Sequence, residues 1–89
     1  MRAVISVLGK DRVGIICAVA NVLADANVNI LDISQTILQG MFTMMMIVDV
    51  AQSKLEFAVL SKKLEETGNE LGVTIKIQHE DIFNSMHRI

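Results

Sequence analysis

Proline, tryptophan and tyrosine are absent from this chain of 89 residues, and cysteine occurs once. Each gap removes a class of reading. Without proline, the turns must be made by glycine, asparagine and their neighbours. Three Phe are the only aromatics, so the stacking platforms that hold single-stranded nucleic acid are scarce. Basic residues are few as well. Eight Lys and Arg stand against ten Asp and Glu, a formal net charge of −2, and a nucleic-acid partner is not expected. Cys17 alone cannot close an internal disulfide, which fits a reducing, cytoplasmic setting. The start, Met1-Arg2-Ala3-Val4, lacks a signal-peptide layout. No apolar run reaches the ~18–20 residues that span a bilayer, so no membrane partner is expected either.

What the chain has in abundance is apolar surface. Hydrophobic residues make up 52% of it, high for one small domain, whose size limits how much it can bury. A second copy covering part of that surface is the preferred explanation.

Periodicity divides the chain into six elements. Residues 3–8 are a nearly continuous apolar run ending at Gly9, read as a central strand buried on both faces. Residues 14–26 place Ile16, Val19, Ala20, Leu23 and Ala26 at helical spacing. Asp11 is the candidate cap, and Asn27 the left-handed end. In residues 29–38, Leu31, Ile33 and Ile37 alternate with Asp32, Ser34 and Thr36. Gln39-Gly40 makes a tight turn into a strand over 42–50, giving a hairpin. A second helix covers 54–71, with Phe57, Leu60, Leu64, Thr67 and Leu71 on one face; Ser53 and Glu56 form a candidate capping box, and Gly72 ends it. Val73, Ile75 and Ile77 then alternate as a half-buried strand. Residues 1–80 make the domain, and 81–89 a tail with Ile82, Phe83, Met86 and Ile89 at the spacing of a short docked helix.

The order βαββαβ, with right-handed crossovers, predicts an α+β, ferredoxin-like sandwich: a four-stranded antiparallel sheet with two helices on one face. Its first and third strands are central. That fold hosts many functions. The first strand carries no aromatic for RNA, the first loop no Cys-x-x-Cys for a soft metal, and that loop no glycine-rich phosphate cradle around Arg12.

The residues that remain are those of the first loop, Gly9-Lys10-Asp11-Arg12-Val13-Gly14-Ile15, with Ala26-Asn27-Val28-Asn29-Ile30 and Asp32-Ile33-Ser34-Gln35. In these the chain resembles an ACT domain, the small module that binds amino acids in metabolic enzymes and regulators. Asp32-Ile33-Ser34-Gln35-Thr36, Phe42-Thr43-Met44-Met45 and the ending Ile82-Phe83, Met86-His87-Arg88-Ile89 are similar to a stand-alone bacterial and archaeal subgroup with a single such domain. The first half also looks like the regulatory domains of formyltetrahydrofolate deformylases and of a glycine-cleavage repressor. The resemblance implies a homodimer paired through edge strands. It places an amino acid between Asp11, Arg12, Gly14 and Ile15 of one copy and Asn29 and Ile30 of the other. The physical chemistry agrees: N–H groups at a helix start suit a carboxylate, and Asp11 or the Asn29 amide oxygen suits an ammonium.

Each of these residues has a plainer role open to it. Gly14 serves a tight turn, Asp11 caps the helix, Arg12 is a solvated charge, and Gln35 is a satisfied amide on an apolar face. Met41, Met44, Met45 and Met46 are read as adaptable packing rather than as a Cu(I) site, and Cys17 as buried filler. His79 and His87 are minor candidates for a metal or a pH role. No nucleophile–base set stands out, so neither catalysis nor a cofactor is expected. The functional expectation is a non-catalytic, amino-acid-binding module acting on a protein partner. Its alternative is a dimeric adaptor without a ligand.

Overall fold

The computed structural model describes residues 1–82. Its elements run β1 (Arg2–Lys10), α1 (Ile15–Asp25), β2 (Asn29–Leu38), β3 (Met41–Asp49), α2 (Phe57–Leu71) and β4 (Val73–His79). The sheet order is β2-β3-β1-β4, antiparallel throughout, so β1 and β3 are central as the crossovers required. Residues 80–82 take a helical turn after β4, and the rest of the expected tail helix, with His87, lies outside the described residues.

One face of the sheet carries the core. Ala3, Ile5 and Val7 of β1 align with Met44, Met46 and Val48 of β3 and with Ile75 and Ile77 of β4, all buried. Leu60 and Leu64 of α2, with Ile15, Val19 and Leu23 of α1, close over them. Each buried Val, Leu, Ile or Met side chain among them contributes about 1.5–3 kcal/mol by leaving water. Met44 and Met46 are fully buried packing residues, whereas Met45 faces the other way and is half-buried.

The reading of β1 as buried on both faces needs correction. On the far side Val4 is buried, but Ser6 is half-buried and Leu8 exposed, because no described element covers that face. The helix starts also differ from expectation. Helix α1 begins at Ile15 behind Gly14, and α2 at Phe57 behind Glu56; neither start has a side-chain cap. Asp11 instead uses its backbone, its N–H donating to the Gly40 carbonyl at 2.8 Å. The Ser53 hydroxyl closes a local turn with Leu55, donating to its carbonyl and accepting from its N–H. Helix α1 turns its Ile15–Val19–Leu23 stripe to the sheet, so Ile15, not Ile16, enters the core.

Strand β2 departs from simple alternation. The register shifts between Ile30 and Asp32, so Leu31 is the extra residue of a bulge. Ile30 pairs with Val48, on the same face as Ile33, Gln35 and Ile37, which oppose Met46, Met44 and Phe42. Asp32, Ser34 and Thr36 share the bare face, as their alternation predicted. The hairpin turn is where it was expected, with Gln39 and Gly40 both at positive φ.

Candidate functional site

The helices do not cover the whole core face. Helix α2 sits over β4, and α1 stops short of β2, whose residues are exposed except for a half-buried Ile30. A groove of about 250 Å³ results between α1 and β2. The first loop supplies Asp11, Arg12 and Gly14; the opening turn of α1 supplies Ile15, Ile16 and Cys17; the hairpin supplies Gln35, Ile37 and Phe42. Ile15 and Phe42 are buried beneath it, while Ile16 and Ile37 stay accessible along its sides.

Gly14 makes the loop possible. Its φ of +93° is a backbone conformation that other residues adopt only with strain, and it turns the chain from β1 into α1. The first hydrogen bond inside α1 runs from Ala18 N–H to the Gly14 carbonyl at 2.9 Å. The N–H groups of Ile15, Ile16 and Cys17 therefore precede the helical ladder at its positive end, beside the groove.

Four of the six residues expected to bind a ligand, Asp11, Arg12, Gly14 and Ile15, thus line one groove. Asn29 and Ile30 do not join them within one protomer. Asn29 pairs with Asp49, and Asp49 with Arg2, whereas the first loop follows Lys10 at the other end of the sheet. Eight residues of strand separate the two ends, roughly 25 Å. Asn29 lines a different hollow, with Asn27 and Gln52, and Ile30 is half-buried against the core.

Arg12 has a task that the sequence did not suggest. Its guanidinium donates to the carbonyl oxygens of Leu71 at 3.2 Å and Glu70 at 3.5 Å, where the last turn of α2 exposes its negative end. Cys17 is exposed in the groove rather than buried, since α1 points its Ile15–Val19–Leu23 face inward. Gln35 is exposed there too, so it needs no buried partner. His79, at the sheet end away from the groove, stacks on Phe57 with ring centroids 3.9 Å apart. Among the described residues no group of three or more His, Cys, Asp or Glu is placed to hold a metal ion, and no helix is long and apolar enough to cross a membrane.

One carboxylate is tuned, at the end of the sheet away from the groove. The Ala51 N–H, 2.9 Å from Asp49, holds that carboxyl below its ordinary value, and the N-terminal ammonium at 3.4 Å acts in the same direction.

Comparison with known proteins agrees with this architecture. The ACT domain family model matches residues 2–78. The UPF0237 protein of Methanocaldococcus jannaschii is 56% identical over 88 residues, covering 99% of this chain and 98% of its own length. An ACT domain protein from Streptococcus pneumoniae superposes with a TM-score of 0.81 at 43% identity, over 93% of both chains. A formyltetrahydrofolate deformylase from Pseudomonas syringae shares the fold alone, at TM-score 0.79 and 23% identity, over 88% of this chain and 27% of its own. The match of the whole βαββαβ unit, together with relatives of the same length, makes this chain a member of the ACT domain family.

Proposed function

We propose that this chain is a non-catalytic regulatory module that binds an amino acid between two copies of itself and signals that state to a protein partner. The observation that carries the reading is the groove between α1 and β2, lined by four of the expected residues, in a member of a family of regulatory domains. Its chemistry suits a zwitterion. The N–H groups that open α1 favour a carboxylate, and Asp11 favours an ammonium.

A second copy would supply the missing half. Strand β2 is an edge, and two such strands pairing antiparallel about their midpoint set residue 29 of one copy against residue 38 of the other. Asn29 of the second copy would then stand at the groove end of the first, with Ile30 beside it. A ligand held by both copies would stabilise whichever pairing completes the site, which links binding to assembly. The reading places the protein in the cytoplasm and gives it no reaction of its own: Cys17 and His79 lie at opposite ends of the sheet, too far apart to act as nucleophile and base.

The test is thermal unfolding against the standard amino acids at fixed protein concentration. A ligand at ~100 times its Kd should add about 2.7 kcal/mol of stability. That gain should vanish in Asn29→Ala, whose side chain is exposed and outside the core. Arg12→Ala is the poorer probe, since it also loosens the end of α2. No shift with any amino acid would sink the sensor reading. It would favour the ligand-free adaptor, for which the exposed Leu31, Ile33 and Leu38 along β2 offer a docking edge.

A further inference from the structure

We infer that the α1–β2 groove selects amino acids with uncharged, apolar side chains, an inference that rests on the amino-acid reading above. The argument is a charge inventory. Among the described residues lining the groove there is one carboxylate, Asp11, and one guanidinium, Arg12, both on the first loop at one end. The head of an amino acid carries one ammonium and one carboxylate. Asp11 takes the ammonium and the N–H groups that open α1 take the carboxylate, Arg12 is engaged by the last carbonyls of α2, and the second copy's Asn29 and Ile30 add no charge.

A side chain extending from a head held at the loop lies along α1 and β2. There it meets Ile15 and Phe42 beneath, and Ile16 and Ile37 at the sides. Gln35 is neutral and Cys17 a weak donor, so neither provides a counter-ion. An ammonium, guanidinium or carboxylate on the ligand's side chain would lose part of its hydration against aliphatic and aromatic carbon with no counter-ion in reach, an unfavourable transfer. An aliphatic or thioether side chain gains there from the same contact, and in an apolar pocket one methylene discriminates by roughly 10–200-fold. Valine, leucine, isoleucine and methionine should therefore bind more tightly than glycine or alanine, and all of these more tightly than aspartate, glutamate, lysine or arginine.

Cys17 supplies the assay. It is the chain's single cysteine, it is exposed, and it lines the groove. The rate of its alkylation by iodoacetamide, followed by mass spectrometry on the whole unmodified chain, reports groove occupancy directly. With an apolar amino acid at about 10 times its Kd, roughly a tenth of the sites stay free, and labelling should slow roughly tenfold. The charged amino acids at equal concentration should leave the rate unchanged. Protection by a charged amino acid, with none from the apolar ones, would overturn the selectivity and leave the amino-acid reading standing. Thermal stabilisation without protection of Cys17 would put the ligand outside the groove and overturn the inference. Neither stabilisation nor protection by any amino acid would remove the amino-acid reading, and the selectivity with it.

Discussion

At the scale of single residues, the structure separates what holds the loop from what is left to meet a ligand. Gly14 is fixed by its φ of +93°, yet a Cβ there would touch nothing within 4 Å. Replacing it would cost about 1–2 kcal/mol in backbone strain whatever the groove does. It is therefore a folding residue first, and a loss of ligand response on its substitution would be ambiguous. Arg12 is likewise committed to α2, which leaves Asp11 as the loop side chain with no structural bond from its carboxylate among the contacts described. Asp49 shows the opposite balance, being wholly structural. Its carboxyl is held low in the folded state, first by the Ala51 N–H and then by the N-terminal ammonium. A depressed acid stabilises the fold at pH values above its unfolded pKa, about 3.9, and loses that contribution as pH falls through the folded value. Asp49→Asn should thus be less stable than the parent at neutral pH, with the gap closing below about pH 4. Thermal melts of both proteins from neutral to strongly acidic pH check this; a gap of constant size would refute the assignment.

At the scale of elements, legibility followed the range of the physics involved. The strands, the Gln39-Gly40 turn and the order of the helices were readable because side-chain alternation and turn chemistry act within a few residues. The helix starts were not. Asp11 and Ser53 are capable caps, but Asp11 is tied to the hairpin by its backbone N–H on the Gly40 carbonyl, the Ser53 hydroxyl is engaged in a local turn with Leu55, and Glu56 leads α2 without capping it. The bulge at Leu31 left no mark in an apolar sequence that alternates equally well without it. Arg12 reaches a carbonyl 59 positions away, which no local pattern encodes. Gly68 was missed for a related reason: an absent side chain carries no periodicity. It continues the Leu60–Leu64 stripe of α2, and a Cβ there would stand 2.6 Å from the Val73 carbonyl oxygen and 3.1 Å from Ile75. Alanine in place of glycine normally favours a helix by about 1 kcal/mol. Here the contact is with backbone of the paired strand, so Gly68→Ala should instead lower stability, by about 1–3 kcal/mol. Urea unfolding measures it, and a more stable variant would show that α2 can rise off β4 at little cost.

At the scale of the whole molecule, the question is what covers the side of the sheet that α1 leaves bare. Of the eleven exposed large hydrophobics among the described residues, seven lie on the first loop, the start of α1 and the β2–β3 hairpin, with Ile33 and Ile37 on the face that α1 leaves bare and Leu38 and Met41 on the opposite face. That concentration is how an interface differs from scattered surface apolar residues. The two sheet edges are also unequal. Strand β4 is backed by α2, whereas β2 offers ten residues with little over its apolar face and a single charge, Asp32. Native proteins guard such edges with charge, above all lysine. An unguarded edge beside an apolar groove fits a strand meant to pair, and a second copy presents the same strand with the same groove. The chain should therefore sediment as a dimer at micromolar concentration. Ile33 lies beside the midpoint of β2 and is 43% exposed, so lysine there leaves the core intact. In a symmetric antiparallel pairing the two lysines would come close together across the axis, adding repulsion to the lost apolar contact. Ile33→Lys should sediment as a monomer with an unchanged far-ultraviolet circular dichroism spectrum, and should lose amino-acid stabilisation together with the dimer, because Asn29 would no longer reach the neighbouring groove. A parent protein that sediments as a monomer, or an Ile33→Lys variant that remains a dimer, would move the contact away from β2 and leave Asn29 without a route to the site.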